Sequence, residues 1–133
     1  TQADSVFTLA RHLPPDASLV LMSSVTAAFG NRGQADYGAA NGVYNAMARM
    51  LAARGRGRVI AMNWGPWDKL GMASEDVRRQ FLARGITPIE PGSGVRAVIA
   101  ELASGATTDA VVVLGDGPWA RDAAAERAVE MLA

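Results

Sequence analysis

Two patterns of apolar residues alternate along this chain. Nearly continuous apolar runs of strand length stand at 18–23, 58–62 and 110–114. Such runs are typical of strands that are covered on both faces in a parallel sheet. Between these runs, apolar residues recur at steps of three and four, which is the spacing of one face of a helix. The pattern therefore predicts that helices alternate with strands.

Four helices are predicted from the helical spacing and from local start and stop signals. Pro14 and Pro15 end the first helix, because a proline ring clashes with the preceding turn. Gly55 is a natural end for the long second helix, and Ser74 fits the N-cap of the third. The predicted buried stripe of the fourth consists of Val95, Val98, Ile99 and Leu102. The predicted helices cover about 2–13, 37–51, 75–84 and 92–103.

The order of these elements predicts the fold class. Strands that are separated by helices require crossover connections, which are right-handed in parallel sheets. The expected fold is α/β: the C-terminal part of a doubly wound, parallel, Rossmann-like sheet with flanking helices. The first strand has no partner on its far side within this chain, so further strands are expected upstream. The isolated piece is expected to be poorly soluble or to self-associate. The Ala- and Glu-rich residues 119–133 are expected to form an exit helix or linker.

Composition narrows the possible partners. The 133 residues are half apolar, which fits one globular domain with a packed core. Thirteen basic residues balance thirteen acidic ones, so no charge bias points to nucleic acid or to an anionic membrane. No apolar run approaches the roughly 20 residues of a membrane helix, and the first residues do not resemble a signal peptide. A cytoplasmic protein without a nucleic-acid or membrane partner is expected.

Residue types that bind metals or form disulfides are scarce. The chain has no cysteine, which excludes a disulfide framework and cysteine-ligated metal sites. Its one histidine, His12, cannot make a metal site by itself. No metal site is therefore predicted.

Three polar residues form a candidate site for a carbonyl group. Tyr37 and Asn41 are four residues apart on the long helix, so their side chains project from the same face. Ser24 follows a strand, at the sheet edge where open α/β sheets hold their ligands. Reduction of a ketone places negative charge on its oxygen, which calls for a proton donor and a second hydrogen bond. Tyr37 is the candidate acid and Ser24 the second donor.

Longer motifs around these residues are similar to those of a known family. They are Ser23-Ser24-Val25, the run from Gly30 to Asn41, Asn63-Trp64-Gly65-Pro66-Trp67 and Gly71-Met72-Ala73. With them the chain resembles the C-terminal half of ketoreductase domains from modular polyketide or polyunsaturated fatty acid synthases, within the short-chain dehydrogenase/reductase superfamily. The resemblance implies NADPH-dependent reduction of a carrier-bound β-keto acyl thioester to the β-hydroxy acyl thioester. It also implies that Ser24 orients the substrate carbonyl, that Tyr37 donates the proton and that Asn41 completes the site.

The resemblance further implies what surrounds the site. Residues 1–118 are implied to be the C-terminal half of the catalytic domain, with a lid over about 68–90. Phe29 and Met72 are implied to lie on the substrate side. The loop implied to line the nicotinamide pocket consists of Asn63, Trp64, Gly65, Pro66 and Trp67. The implied partners are an acyl carrier protein, with the substrate on its phosphopantetheine, and the N-terminal half of the same ketoreductase.

One departure from the family pattern bears on activity. Synthase ketoreductases carry asparagine four residues after the tyrosine, as at Asn41, and take their lysine from the preceding helix. Alignment of that helix with the start of this chain places Gln2 at the lysine position, and the only lysine in the sequence is Lys69. An uncharged Gln2 removes one positive charge from the surroundings of the proton donor. A catalytically silent ketoreductase-like domain with a structural or docking role is therefore an alternative.

A second departure concerns the cofactor. No Gly-x-Gly-x-x-Gly follows a strand, so this chain alone is not expected to bind NADPH tightly or to be active alone. A free-standing reductase of a small ketone is a third hypothesis. Asn41 disfavours it, because stand-alone members of the superfamily usually have lysine at that position. Acyl chain length and product stereochemistry stay open.

Several other conspicuous residues have sufficient structural explanations. Tyr44 is expected in the core, and Ser23 is expected to cap the end of its strand. Lys69 is expected on the surface. The predicted gap-filling methionines of the core are Met47, Met50 and Met62. A short basic patch, expected to be a solvated face with carrier-protein docking as the lesser alternative, consists of Arg54, Arg56 and Arg58.

Overall fold

The computed structural model describes residues 2–55, 57–68, 74–104 and 110–120. Within these ranges the elements are α1 (Gln2–His12), β1 (Ser18–Ser24), α2 (Thr26–Phe29), α3 (Ala35–Ala53), β2 (Arg58–Trp64), α4 (Glu75–Ala83), α5 (Pro91–Ala103) and β3 (Val111–Leu114). The described residues fall into two compact units. The first unit draws on Thr1–Trp64 and Gly105–Val113, and the second on Gly65–Ser104 and Leu114–Ala133.

The predicted order of helices and strands is confirmed, and the element ends agree with the prediction to within about two residues. The prediction missed α2, which spans only Thr26–Phe29. Four residues make barely one helical turn, so they cannot display the repeat from which longer helices are recognised. This short helix comes directly after β1 and leads the chain toward α3.

The sheet is parallel, as predicted, with the strand order β1-β2-β3. β1 pairs with β2 from Ser18 opposite Arg58 to Ser24 opposite Trp64. β3 lies along the other side of β2, where the amide of Ala61 donates to the carbonyl oxygen of Ala110 at 2.8 Å. β1 is thus an edge strand among the described strands. This arrangement confirms the expected α/β class.

The core of the first unit lies between α3 and one face of β1 and β2. Side chains alternate between the faces of a strand, so residues of odd number on both strands point toward α3. Ala48 and Ala61 have no exposed surface, and Val6 of α1 closes the same cluster. The other buried members are Leu21, Met47, Leu51 and Val59. Met47 and Met62 are buried as predicted, while Met50 and Tyr44 are packed at the margin.

The predicted buried stripe of α5 is wrong. Ile99 is 61% exposed, and Val95 and Leu102 are exposed as well. Gly94 is the buried residue of this helix, because the ring of Trp67 packs against it. Helical spacing shows which residues share a face, but it does not show whether another element covers that face. Here the apolar face of α5 is exposed among the described residues.

The predicted start of α4 is confirmed by its cap. The Ser74 hydroxyl oxygen accepts a hydrogen bond from the amide of Val77 at 3.4 Å. At α5 the carboxylate of Glu90 caps the helix by accepting from the amides of Gly92 and Ser93. Those two bonds lower the pKa of Glu90. No described helix combines the length and the apolar character that a membrane crossing requires.

Gly57 closes the turn that leads into β2 and so sets where the β1–β2 pairing begins. Its φ is +47°, in the left-handed region that favours glycine. A Cβ atom at this position would lie 2.5 Å from the carbonyl oxygen of Ala17 and 2.8 Å from that of Pro15. Gly55, two residues earlier, has a φ of +68° but no atom within 4 Å of its virtual Cβ. A substitution at Gly55 therefore introduces backbone strain alone, whereas a substitution at Gly57 introduces both strain and a steric clash.

We predict that Gly57→Ala lowers the free energy of unfolding by more than Gly55→Ala does. Gly55→Ala meets only the left-handed penalty of roughly 1–2 kcal/mol. Gly57→Ala adds a clash with backbone, and backbone cannot move aside as a flexible side chain can, so a loss above about 3 kcal/mol is expected. Urea unfolding of the protein measures both losses. Equal losses would show that the turn relaxes away from Ala17.

Candidate active site

Ser24 stands at the carboxyl edge of the sheet with its hydroxyl fixed from one side. It ends β1 and is buried beside Trp64 of β2. The hydroxyl oxygen accepts from the amide of Thr26 at 3.3 Å and from the Thr26 hydroxyl at 3.0 Å. A serine hydroxyl has two lone pairs and one hydrogen. With both lone pairs engaged, Ser24 keeps its hydrogen to donate, which is what a second donor to a substrate carbonyl needs.

Tyr37 and Asn41 lie on the first turns of α3. Tyr37 is 51% exposed, whereas Asn41 is buried. The side-chain amide of Asn41 donates to the backbone carbonyl oxygen of Tyr37 at 2.9 Å. This bond lies within the helix and holds the Asn41 side chain beside the turn that carries Tyr37.

Ser23 joins α3 to the sheet. Its hydroxyl donates to the backbone carbonyl oxygen of Asn41 at 3.2 Å in the buried interface. The sequence had indicated only a cap of the strand end for this residue. Its contact with α3 could have been predicted from the alternation of side chains along β1, which places Ser23 on the face toward α3 and Ser24 on the opposite face. Ser23 thus belongs to the framework of the site.

A close approach between α2 and α3 brings the serine and tyrosine segments together. A Cβ atom on Gly38 would lie 3.0 Å from the carbonyl oxygen of Thr26. Thr26 is the residue that holds the Ser24 hydroxyl, and Gly38 follows Tyr37 directly. The structure therefore gathers Ser24, Tyr37 and Asn41 at one edge of the first unit.

The residues predicted to line the nicotinamide pocket are divided between the two units. In the first unit, Asn63 and Trp64 end β2, and both are buried. In the second unit, the amide of Gly65 donates to the Leu114 carbonyl oxygen at 2.8 Å. The Pro66 carbonyl oxygen accepts from the Ile89 amide at 2.7 Å.

Trp67 anchors its loop in the second unit. A Cβ atom on Gly94 would lie 2.3 Å from its ring, so the indole rests directly on α5. The neighbouring Asp68 forms an ion pair with Arg78 of α4, with 3.2 Å between the Oδ1 and Nε atoms. The loop therefore contacts both α4 and α5, and of these two helices α4 falls within the predicted lid, residues 68–90.

The other candidate residues lie partly outside the described ranges. Phe29 ends α2 with an exposed ring. Gln2 begins α1, and its side chain lies outside the described part. Met72 and Lys69 also lie outside the described residues. No group of three or more potential metal ligands occurs within the described ranges.

Comparison with known proteins shows which family this chain is similar to. The family model described as "KR domain" matches residues 5–69. The chain is 38% identical over 113 residues to the polyketide synthase GfsB of Streptomyces halstedii, and the match covers 84% of this chain and 2% of that protein. It is 34% identical over 108 residues to the erythronolide synthase EryA3 of Saccharopolyspora erythraea, covering 80% of this chain and 3% of the other. These matches support a fragment of a polyketide synthase ketoreductase domain.

Solved ketoreductases share the fold. A ketoreductase from the first module of phoslactomycin biosynthesis in Streptomyces sp. HK803 superimposes with a TM-score of 0.74 at 32% identity, covering 89% of this chain and 27% of its own. The first ketoreductase of the tylosin PKS gives a TM-score of 0.71 at 31% identity, covering 96% of this chain and 27% of its own. The chain thus spans about a quarter of each of these two ketoreductases and matches their Rossmann-like architecture.

We predict that Gly42→Ala stabilises α3 more than Gly38→Ala does. Both glycines lie inside the helix, where alanine is favoured over glycine by about 1 kcal/mol. No atom lies within 4 Å of a Cβ on Gly42, but a Cβ on Gly38 meets Thr26 at 3.0 Å. Thermal unfolding of the two variants compares them. A larger gain for Gly38→Ala would contradict the close contact between α2 and α3.

Proposed function

We propose that this chain carries the proton donor of an NADPH-dependent ketoreductase that reduces a carrier-bound β-keto acyl thioester to the β-hydroxy acyl thioester, in polyketide or fatty acid biosynthesis. The observation that supports it best is the Ser24 hydroxyl, which is held by Thr26 at 3.0 Å with its hydrogen left to donate. The exposed Tyr37 stands on the helix turn that packs against Thr26. Two hydroxyl donors at the carboxyl edge of a parallel sheet suit a carbonyl oxygen.

The donor set fits the nicotinamide end of such a cofactor. Ser24, beside the end of β2, and Tyr37, on α3, offer hydroxyl donors, and neither residue type binds phosphate by charge. The glycine-rich loop that holds the pyrophosphate in dinucleotide-binding folds has no counterpart in this sequence. The rest of the ketoreductase domain is therefore the proposed source of the phosphate contacts. When bound, the dihydronicotinamide supplies a hydride to the ketone carbon.

The chain's own residues manage the proton. Ser24 donates a hydrogen bond to the ketone oxygen and so fixes its direction. As the carbonyl carbon gains its new C–H bond, the Tyr37 O–H bond breaks and its proton moves to that oxygen, which gives the alcohol. Asn41, whose side-chain amide donates to the backbone carbonyl oxygen of Tyr37 at 2.9 Å, is proposed to support the proton relay. A proton transfer of this kind contributes about 10²–10⁴ in rate.

The proposed partners follow from the proposed ketoreductase function. The substrate is presented by the phosphopantetheine arm of an acyl carrier protein, and the N-terminal half of the ketoreductase completes the cofactor site. The curated relatives named above are polyketide synthases, which supports the choice of a tethered β-keto thioester over a free ketone. A cytoplasmic location accords with this role.

We predict that Tyr37→Phe lowers kcat about 10²–10⁴-fold in the complete ketoreductase domain, because the variant loses its proton donor. The assay follows NADPH oxidation with a simple β-keto thioester. Tyr44→Phe is the matched control, since Tyr44 lies on the same helix but packs at the margin of the core. It should keep kcat near the parental value. Equal loss in both variants would mean that Tyr37 acts only through stability.

A second candidate function is a silent domain with a structural or docking role. The supporting observation is Gln2 at the position aligned with the family's lysine, in a chain whose only lysine is Lys69. If this alternative holds, the complete domain lacks activity and Gln2→Lys produces it, because the new charge favours the ionised tyrosine. Gln2→Met is the uncharged control of similar length. Activity in the parental domain would overturn the silent assignment.

A further inference from the structure

Asn63 is a buried side chain without a partner. It has no exposed surface, and neither its Nδ2 nor its Oδ1 atom has a hydrogen-bond partner in the described structure. Asn45 on α3 is also buried, and its Oδ1 atom is likewise unpaired. Buried polar groups in folded proteins nearly always have a partner, which is a protein atom or an ordered water. Two such groups in one unit call for an explanation.

Strand register places these two asparagines on the same interface. Asn63 pairs with Ser23 across β1 and β2, and its odd number puts it on the face that packs against α3. Ser23 already donates to the carbonyl oxygen of Asn41 in this interface. Asn45 lies one helical turn after Asn41, so it is above the same end of the sheet. Further along, the interface is filled by apolar residues such as Leu21 and Ala48.

We propose that Asn63 and Asn45 bind a buried water molecule between β2 and α3, and that Asn63 is thereby a positioning residue for Tyr37. A water can accept from Asn63 Nδ2 and donate to Asn45 Oδ1, and a buried water typically makes about three hydrogen bonds to otherwise unsatisfied groups. This site differs from the cofactor contact that the family resemblance implies for Asn63. The positioning role rests on the proposed function, whereas the water site does not.

The proposed water would attach α3 to the sheet at a second point. Ser23 holds α3 through β1, and the proposed water holds it through β2. Two attachments on adjacent strands oppose rotation of the helix about its axis. Tyr37 lies about two turns before Asn45 on this helix, so a rotation at Asn45 moves the Tyr37 hydroxyl away from the carbonyl oxygen.

The test is a double-mutant cycle of Asn63→Leu and Asn45→Leu in the complete ketoreductase domain. Thermal unfolding reports stability, and NADPH binding and turnover with a β-keto thioester are measured on each variant. Met62→Leu is the control, because Met62 is also fully buried but points to the opposite face. Asn63→Ser is a milder variant, whose hydroxyl leaves room for a further water.

The expected result is non-additivity. Each single leucine variant lowers Tm by roughly 2–4 °C, and the double variant is no less stable than the worse single one. Asn63→Leu lowers kcat by about 10- to 100-fold, as a misplaced reacting group does, while the Kd for NADPH stays unchanged. Asn63→Ser recovers part of kcat. The Met62→Leu control changes neither kcat nor the Kd.

Three results would overturn the proposal. A higher Tm for Asn63→Leu would show that the amide has no partner at all, since removal of an unpaired buried polar group stabilises. Additive losses would show that the two asparagines share no water. A raised Kd for NADPH would assign Asn63 to the cofactor. If the parental domain proves inactive, the proposed function fails, but the Tm cycle still decides the water site.

Discussion

The parallel pairing of β1 with β2 is the constraint on which the candidate site depends. The two strands are in register over their full length, so Ser24 and Trp64 end at the same level. Because parallel strands require a crossover, α3 must return across the sheet between them. Its first turns then lie above the ends of the strands, and its last turns above their beginnings. The register of β1 against β2 thus decides which side chains lie at the sheet edge, where a ligand can bind.

The interface beneath α3 changes character along its length. Near the end of the helix it is apolar, with Leu51 and Val59 buried. Near its start it is polar, with Ser23, Asn41 and Asn63 buried. Buried polar groups cost free energy unless they are bonded, so a polar layer contributes less stability than an apolar one of the same area. Proteins accept such departures from an optimal core at functional sites, and here the polar layer lies under the candidate proton donor.

Much of this arrangement could be predicted from the sequence, and the limits have physical causes. Apolar runs and helical steps located every strand and the longer helices, because those periods come from backbone geometry. The spacing from Ser24 to Tyr37 and Asn41 indicated the candidate site from the sequence alone. The role of Ser23 was missed, since a hydrogen bond across 18 residues depends on strand register. The exposure of Ile99 was missed because burial requires a second element that covers the helix face. The helical spacing describes the face itself but not what covers it.

Ser23 and Ser24 are consecutive, and their side chains lie on opposite faces of β1. One hydroxyl is attached to α3 and the other is presented at the edge of the sheet. A single peptide group therefore joins the residue that holds α3 to the residue that offers a donor at the sheet edge. If α3 tilts or slides, it pulls on Ser23, and the rigid peptide transmits that displacement to Ser24. The strand that presents Ser24 and the helix that carries Tyr37 are therefore joined through Ser23, and a displacement of one is passed to the other.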